Sequence, residues 1–230
     1  ASFRQLLRAW CHESLTAHDV FGWQQPFRSR ARADTIDAAK PGQRAVVLVH
    51  GFFCNRGIWN RWVPALRAFG VPHIAVTLEP PFAGIDSNVA TVDEAIERAT
   101  QATGQPPLVV CHSMGGLAVR AWWRDHAATA ASRVQGVITI GSPHQGTFTA
   151  KLASGENARQ MRQGSLWLRQ LADEENDGRR RHFTCFYSHC DNIAMPASTG
   201  ALPGADNRHI EGVPHVALAY APDVWAEVLR

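Results

Sequence analysis

Apolar residues occur along this chain in two kinds of run that take turns. Short, mostly apolar runs at 45–49, 74–78, 108–110 and 135–140 read as strands of a buried sheet. Between them, apolar residues recur three and four apart. Ile58, Trp59, Trp62, Val63, Leu66 and Phe69 form one such set. Val92, Ala95, Ile96 and Ala99 form a second, and Leu117, Val119, Ala121 and Trp122 a third. Val224, Trp225 and Val228 close the chain, after a proline at 222 that suits a first helical position. These sets predict amphipathic helices over 58–69, 89–103, 117–125 and 222–229. Two further strands are expected over 182–188 and 208–211. Strands that alternate with helices predict an α/β fold, with a mostly parallel central sheet and helices on both faces.

Two stretches lie outside this alternation. Phe3, Leu6, Leu7 and Trp10 predict a helix over 3–15, read either as packed on the domain or as the continuation of an upstream segment. Residues 26–44 are basic and aperiodic, with a turn at Pro41-Gly42, and are expected to be loop or irregular edge. The chain thus divides into an N-terminal helix with a basic linker, 1–44, and a main unit, 45–230, that together make a single domain. Residues 147–178 are polar and helical in pattern, with Leu152, Met161, Leu166, Trp167, Leu168 and Leu171. An insertion at this point of an α/β fold lies above the strand ends. It is expected to be a helical, cap- or lid-like element that lines a pocket or packs on itself.

Composition narrows the classes. The 230 residues suffice for one large core. A hydrophobic fraction of 45% and a net charge of +3 describe a globular chain with no block basic enough for nucleic acid. The arginines at 28, 30 and 32 and at 179–181 read as solvated surface, with a membrane-surface role as the alternative. The five cysteines, Cys11, Cys54, Cys111, Cys185 and Cys190, form no disulfide framework; Cys185 and Cys190 either pair or stay reduced. His182, Cys185, His189 and Cys190 are close in sequence but lack a second ligand cluster, so no metal and no cofactor is expected. No apolar run approaches the ~18 residues of a membrane span. The chain starts at Ala1 with no signal-like segment, which fits a mature chain or a piece whose anchor or signal lies upstream. Compartment and oligomeric state stay open.

The chemistry centres on residues 108–116, L-V-V-C-H-S-M-G-G. A strand, a turn carrying Ser113 and then a helix is the context in which a G-x-S-x-G elbow has meaning, because the hydroxyl must stand clear of the sheet. Gly115 fits the second glycine, and Cys111 stands where the first would be. An acyl-transfer serine also needs N–H donors for the developing oxyanion. Met114, just after the serine, and Phe52, in the His50-Gly51-Phe52-Phe53 loop after the first strand, are the candidates. A serine hydroxyl needs a histidine base, and that base needs a carboxylate. Ser113, Asp191 and His215 lie at strand ends in the required chain order, with Asp206 as the rival acid in a turn-like stretch. Phe53, His112, His144 and Trp167 are candidate substrate contacts, with His144 shaping the wall or supporting its loop.

The motifs V-L-V-H-G-F (47–52), C-H-S-M-G-G (111–116), T-I-G-S-P-H-Q-G-T (139–147), Y-S-H-C-D-N-I (187–193) and G-V-P-H-V-A-L (212–218) together resemble bacterial α/β-hydrolases of the lipase/esterase family. The resemblance implies the α/β-hydrolase fold for 45–230. It further implies Ser113 as nucleophile, Asp191 as acid, His215 as base, and Phe52 and Met114 N–H as the oxyanion hole. Cys111 departs from the family's usual glycine. The expected activity is hydrolysis of small-molecule or lipid carboxylic esters through an acyl-enzyme. Thioesters, phospholipids and polyesters are the alternative substrates, and a non-catalytic binding scaffold is the alternative role. Some relatives bind calcium, but this sequence has no acidic cluster suited to it. A membrane anchor or secretion signal upstream, or a cytoplasmic site, are the localisations the resemblance admits.

Overall fold

The computed structural model describes residues 2–175 and 177–230. Six parallel strands form one sheet: β1 (Val46–Val49), β2 (His73–Ala75), β3 (Leu108–His112), β4 (Gly136–Ile140), β5 (Phe183–Tyr187) and β6 (Asp206–His209). Their order is β2-β1-β3-β4-β5-β6. Helices cover both faces: α1 (Phe3–Asp19), α2 (Gln25–Arg28), α3 (Trp62–Ala68), α4 (Val89–Thr103), α5 (Met114–Asp125), α6 (Ala130–Arg133), α7 (Glu156–Gln160), α8 (Leu166–Asp173), α9 (Asp177–Arg180), α10 (His215–Leu218) and α11 (Pro222–Val228).

These mostly apolar runs sort into two layers by the strand's period of two. Val47, Val49, Val109, Cys111, Val137 and Cys185 face a layer built on α4 and α5, with Ile96, Leu117 and Trp122. Val46, Leu48, Val110, Ile138, Ile140 and Phe186 face the opposite layer, with Trp59, Trp62, Leu66, Val224 and Val228. Burying one such side chain stabilises by about 1.5–3 kcal/mol, so both faces of the central strands contribute. The register sets Val49 beside Cys111, and Cys111 beside Thr139. The strand order reverses between β1 and β3. Loops leaving these neighbours diverge to opposite faces and open a crevice at the carboxyl edge, the usual ligand site of an open α/β sheet.

Three expectations change in detail. The edge strand lies at Asp206–His209 rather than 208–211, paired with β5 from Thr184↔Asp206 to Tyr187↔His209. The 58–69 helix is a 3-10 turn, Arg56–Arg61, that continues into α3. The helix expected over 3–15 runs on to Asp19, then through a π-helical turn, Val20–Gln24, into α2. Its Ser2–Gln5 capping box supplies partners for otherwise open backbone groups. Phe3, Leu6, Leu7 and Trp10 point outward, while Ala9, Thr16 and Val20 are buried. The inward stripe is made of small residues because α1 lies close against α10. Residues 147–178, except Asn176, which lies outside the described residues, fold as a 3-10 turn (Phe148–Leu152) followed by α7, α8 and the start of α9. Among the described residues no helix is long and apolar enough to cross a membrane.

Candidate active site

Ser113 occupies the turn between β3 and α5 with φ +54° and ψ −127°, a conformation that side chains rarely adopt. The junction enforces it. Ser113 N–H donates to the Ile140 carbonyl at 2.9 Å, and its own carbonyl accepts from Gly116 N–H at 3.1 Å. Close backbone approach accounts for two glycines here. A Cβ on Gly115 would lie 2.6 Å from the Val49 carbonyl oxygen, and one on Gly51 would lie 2.6 Å from Ser113 Cβ. Cys111 meets no such obstacle, because it is the fourth residue of β3 and its side chain packs in the core. The glycine usual at that position is therefore not required by this backbone.

The Asp191 carboxylate follows β5, and His215 opens α10. His215 Nδ1–H donates to both carboxylate oxygens of Asp191, at 2.9 and 3.0 Å. The side chains are 5% and 2% exposed, so water does not compete for this pair. Asp191 Oδ1 also accepts from Ile193 and Ala194 N–H at 2.8 and 2.7 Å, which orients the carboxylate. With Nδ1 engaged, Nε2 is the free nitrogen of the ring. Burial opposes charging of His215, but the Asp191 charge and hydrogen bond, joined by Glu13, outweigh it and raise its pKa above the ordinary histidine value. Asp206 sits on the edge strand, paired with Arg208 and away from the imidazole.

His112 and His50 support this arrangement as neutral rings. His112 Nε2–H donates to the His215 carbonyl at 3.1 Å, and the two rings lie 4.7 Å apart. Burial lowers the His112 pKa to about 3. His50 donates from Nδ1 to the Gly51 carbonyl at 2.8 Å and accepts Leu78 N–H on Nε2 at 2.9 Å. Burial lowers its pKa to about 4, so it shapes the 50–53 turn without carrying charge. The turn places Phe53 at φ +57°. Phe52, in the turn after β1, lines the same cavity as Ser113, and Met114 follows the serine directly at the start of α5. Met114 is the first helical residue of α5, where N–H groups have no intrahelical acceptor.

Ser113 and His215 line one cavity of about 350 Å³. Its wall is largely apolar, with Phe21, Phe52, Phe53, Ala150, Met161 and Ile193. Of the expected substrate contacts, Phe53 and His112 line it. His144 and Trp167 do not. His144 is buried against Thr139, its Nε2 2.9 Å from Thr139 Oγ1, and its carbonyl accepts from Arg120. Trp167 donates its indole N–H to Asp86 at 2.7 Å. The His144 ring turns to Thr139 and the Trp167 indole, on α8, turns to Asp86, so both side chains are committed to polar partners that do not line the cavity. Residues missed from the sequence are Glu13, Ala17 and Phe21, which bring the N-terminal segment into the wall. Their signal was available in part: Ala9, Glu13, Thr16 and Val20 recur at helical spacing and put a carboxylate on a small-residue face. Among the described residues no group of three His, Cys, Asp or Glu side chains could hold a metal ion, and the five cysteines are unpaired.

A parallel sheet with a serine on the turn after a central strand, and a buried imidazole–carboxylate pair across the crevice, is the architecture of the α/β-hydrolases. Residues 46–229 match the sequence profile of the alpha/beta hydrolase family, and the chain belongs to that family. Among solved structures it is similar to the mature-form lipase BlEst2 of Bacillus licheniformis, with a TM-score of 0.69 at 18% identity over 83% of this chain and 94% of that one. Lipase B of Aspergillus fumigatus gives a TM-score of 0.69 at 20% identity, over 81% of this chain and 52% of that one. A monoacylglycerol lipase of Paleococcus ferrophilus gives 0.55 at 14% identity, over 77% and 88%. No curated protein sequence matches significantly.

Proposed function

We propose that this protein hydrolyses carboxylic esters through a Ser113–His215–Asp191 triad and an acyl-enzyme. The observation that carries the reading is that His215 Nδ1 is committed to Asp191, at a cavity that His215 and the strained Ser113 share. In the first half-reaction Ser113 Oγ attacks the ester carbonyl carbon and its proton passes to His215 Nε2. The carbonyl oxygen becomes an oxyanion received by Phe52 and Met114 N–H. The intermediate collapses, the C–O bond to the alcohol breaks, and His215 returns its proton to the leaving alkoxide. In the second half-reaction water attacks the acyl carbonyl as His215 takes its proton, the bond from the acyl carbon to Ser113 Oγ breaks, and His215 returns the proton to Ser113 Oγ as the acid departs. Asp191 keeps the imidazole in the Nδ1–H tautomer and stabilises the imidazolium.

The apolar wall favours an acyl chain or other apolar ester group over a charged substrate. That supports lipid and aliphatic esters, with phospholipid, thioester and polyester hydrolysis as variants of the same chemistry. The deciding experiment is fluorophosphonate labelling with peptide mapping, alongside hydrolysis of p-nitrophenyl esters of increasing chain length. Label on Ser113, with turnover lost by at least on the order of 10⁴-fold in Ser113→Ala, is the expected result. No label and no turnover would overturn it in favour of a binding scaffold.

A further inference from the structure

Glu13 lies outside the triad and far from it in sequence, yet it reaches the residue that carries the base. Its Oε1 accepts Val216 N–H at 2.9 Å, and its Oε2 accepts Val216 and Ala217 N–H at 3.1 and 3.2 Å. These are the two residues that follow His215 in α10. First-turn N–H groups have no acceptor within their own helix, so without Glu13 they would open onto the cavity wall unpaired. The same glutamate lines the cavity with Ala17 and Phe21 of its own segment. The backbone of His215 is therefore held from three sides. Its N–H donates to Asn192 Oδ1 at 3.2 Å, its carbonyl accepts from His112, and the peptides beyond it are gripped by Glu13.

We propose that Glu13 is a positioning residue for the general base: its carboxylate latches α1 onto the first turn of α10, fixing His215 and closing one wall of the cavity in a single contact. This rests on the reading of His215 as the base. The latch makes seating of the N-terminal helix a condition for a competent imidazole, although that helix precedes residues 46–229, where the family match falls. It also adds negative field. The charged or titratable groups facing His215 are Asp191 after β5, His112 on β3 and Glu13 on α1. Asp191 and Glu13 favour the imidazolium, whereas His112 is neutral.

Two substitutions separate the parts of the contact. Glu13→Gln keeps an acceptor oxygen for the α10 peptides and removes the charge. Glu13→Ala removes both. The His215 imidazole is titrated by NMR in each, and the pH dependence of fluorophosphonate labelling of Ser113 is followed in parallel. Glu13→Gln should lower the His215 midpoint by on the order of half a unit, moving the acid limb of labelling with it. Glu13→Ala should move the midpoint similarly and also slow labelling on the plateau by roughly tenfold, which Glu13→Gln largely restores. Asp19→Asn is the control. Asp19 pairs with Arg61, so this change loosens the end of α1 without touching α10 and should leave the midpoint in place. A His215 midpoint unchanged in both Glu13 variants, or moved equally by Asp19→Asn, overturns the proposal. The NMR titration reads the latch whether or not esters are cleaved. Absence of label in the wild-type protein, by contrast, counts against the hydrolase reading and leaves the NMR arm to decide the latch.

Discussion

His112 and His215, 103 residues apart, are joined by a hydrogen bond from one imidazole to the other's backbone carbonyl, 3.1 Å long and closed to solvent. The residue beside the proposed nucleophile thus supports the residue proposed as base. The bond requires His112 to carry its proton on Nε2, which leaves Nδ1 without a partner among the described residues. Replacing His112 by Ala should lower kcat about tenfold with little change in KM, since about 1–2 kcal/mol is lost at the base rather than at the bound ester. His112→Gln, which can still donate, should recover most of that rate. Steady-state kinetics on one p-nitrophenyl ester checks both. A KM-only effect would assign His112 to substrate binding instead.

His215 must be neutral to take the serine proton, so activity should rise with pH. Asp191 and Glu13 outweigh the effect of burial and raise the imidazole pKa, so the acid limb of kcat/KM should lie above the unperturbed value near ~6.5. Asp191→Asn should move the limb down and reduce the plateau by on the order of 10⁴-fold, because the ring loses both its counter-charge and its tautomer. A pH–rate profile from 5 to 9 for both proteins checks this. A limb that stays in place in Asp191→Asn would remove Asp191 from contact with the titrating group.

The centre of this site was legible because its signals are local and forced. A buried strand must be short and apolar, so 108–110 stood out. A nucleophile elbow needs a small residue after the serine, so Gly115 did as well. The edges were not legible, for equally physical reasons. β6 is exposed and carries Asp206, Asn207, Arg208 and His209, so no apolar alternation marked its register. The apolar residues of α1 that are most visible in the sequence, Phe3, Leu6, Leu7 and Trp10, are the ones that face outward. Its packed face is small and polar, which hid the role of Glu13. His144, in the loop after β4, and Trp167, in the helical 147–178 insertion, sit in segments expected near the cavity, but side-chain direction depends on Thr139 and Asp86, partners that only the tertiary structure brings close.

Two buried neutral histidines should make the fold acid-sensitive. His50 and His112 titrate at about 4 and about 3 in the folded chain, depressed by burial, against ~6.5 when unfolded. The stability they contribute is fully present above pH ~6.5 and is lost as pH falls towards those lower values, by up to ~1.4 kcal/mol per unit for each ring. Urea unfolding at pH 7.0, 5.5 and 4.5 should show this decline, and His50→Gln should shallow it while lowering stability at pH 7. An unchanged slope in that variant would mean that His50 does not carry the effect.

Arg120 on α5 is 1% exposed and pairs with Glu175, whose side chain is 6% exposed; Arg120 also donates to the His144 carbonyl at 2.8 Å. Removing one partner leaves a charge buried alone. Glu175→Ala should therefore destabilise by about 3–5 kcal/mol, whereas the double change Arg120→Met with Glu175→Leu should recover much of the loss. Chemical denaturation of the three proteins tests this. Equal losses in single and double variants would show that the arginine's grip on the 144 loop, rather than charge pairing, is what the fold needs.

Ala150 lies in the 3-10 turn after β4 and lines the cavity together with Ala17 and Phe21 of the N-terminal segment. If the cavity receives the acyl chain, filling it from this wall should act on length and leave the chemistry alone. Ala150→Phe adds a ring at a wall position of a largely apolar cavity and alters neither Ser113, Asp191 nor His215. Each methylene that can no longer be buried forfeits ~0.8 kcal/mol, about a fourfold loss in kcat/KM. Octanoyl and longer esters should thus fall by more than tenfold, while acetyl and butyryl esters, held close to Ser113, change by less than about threefold. The ratio of kcat/KM across the chain-length series measures the effect free of errors in enzyme concentration. A uniform loss at all lengths would place the acyl chain elsewhere and assign this cavity to the alcohol side of the ester.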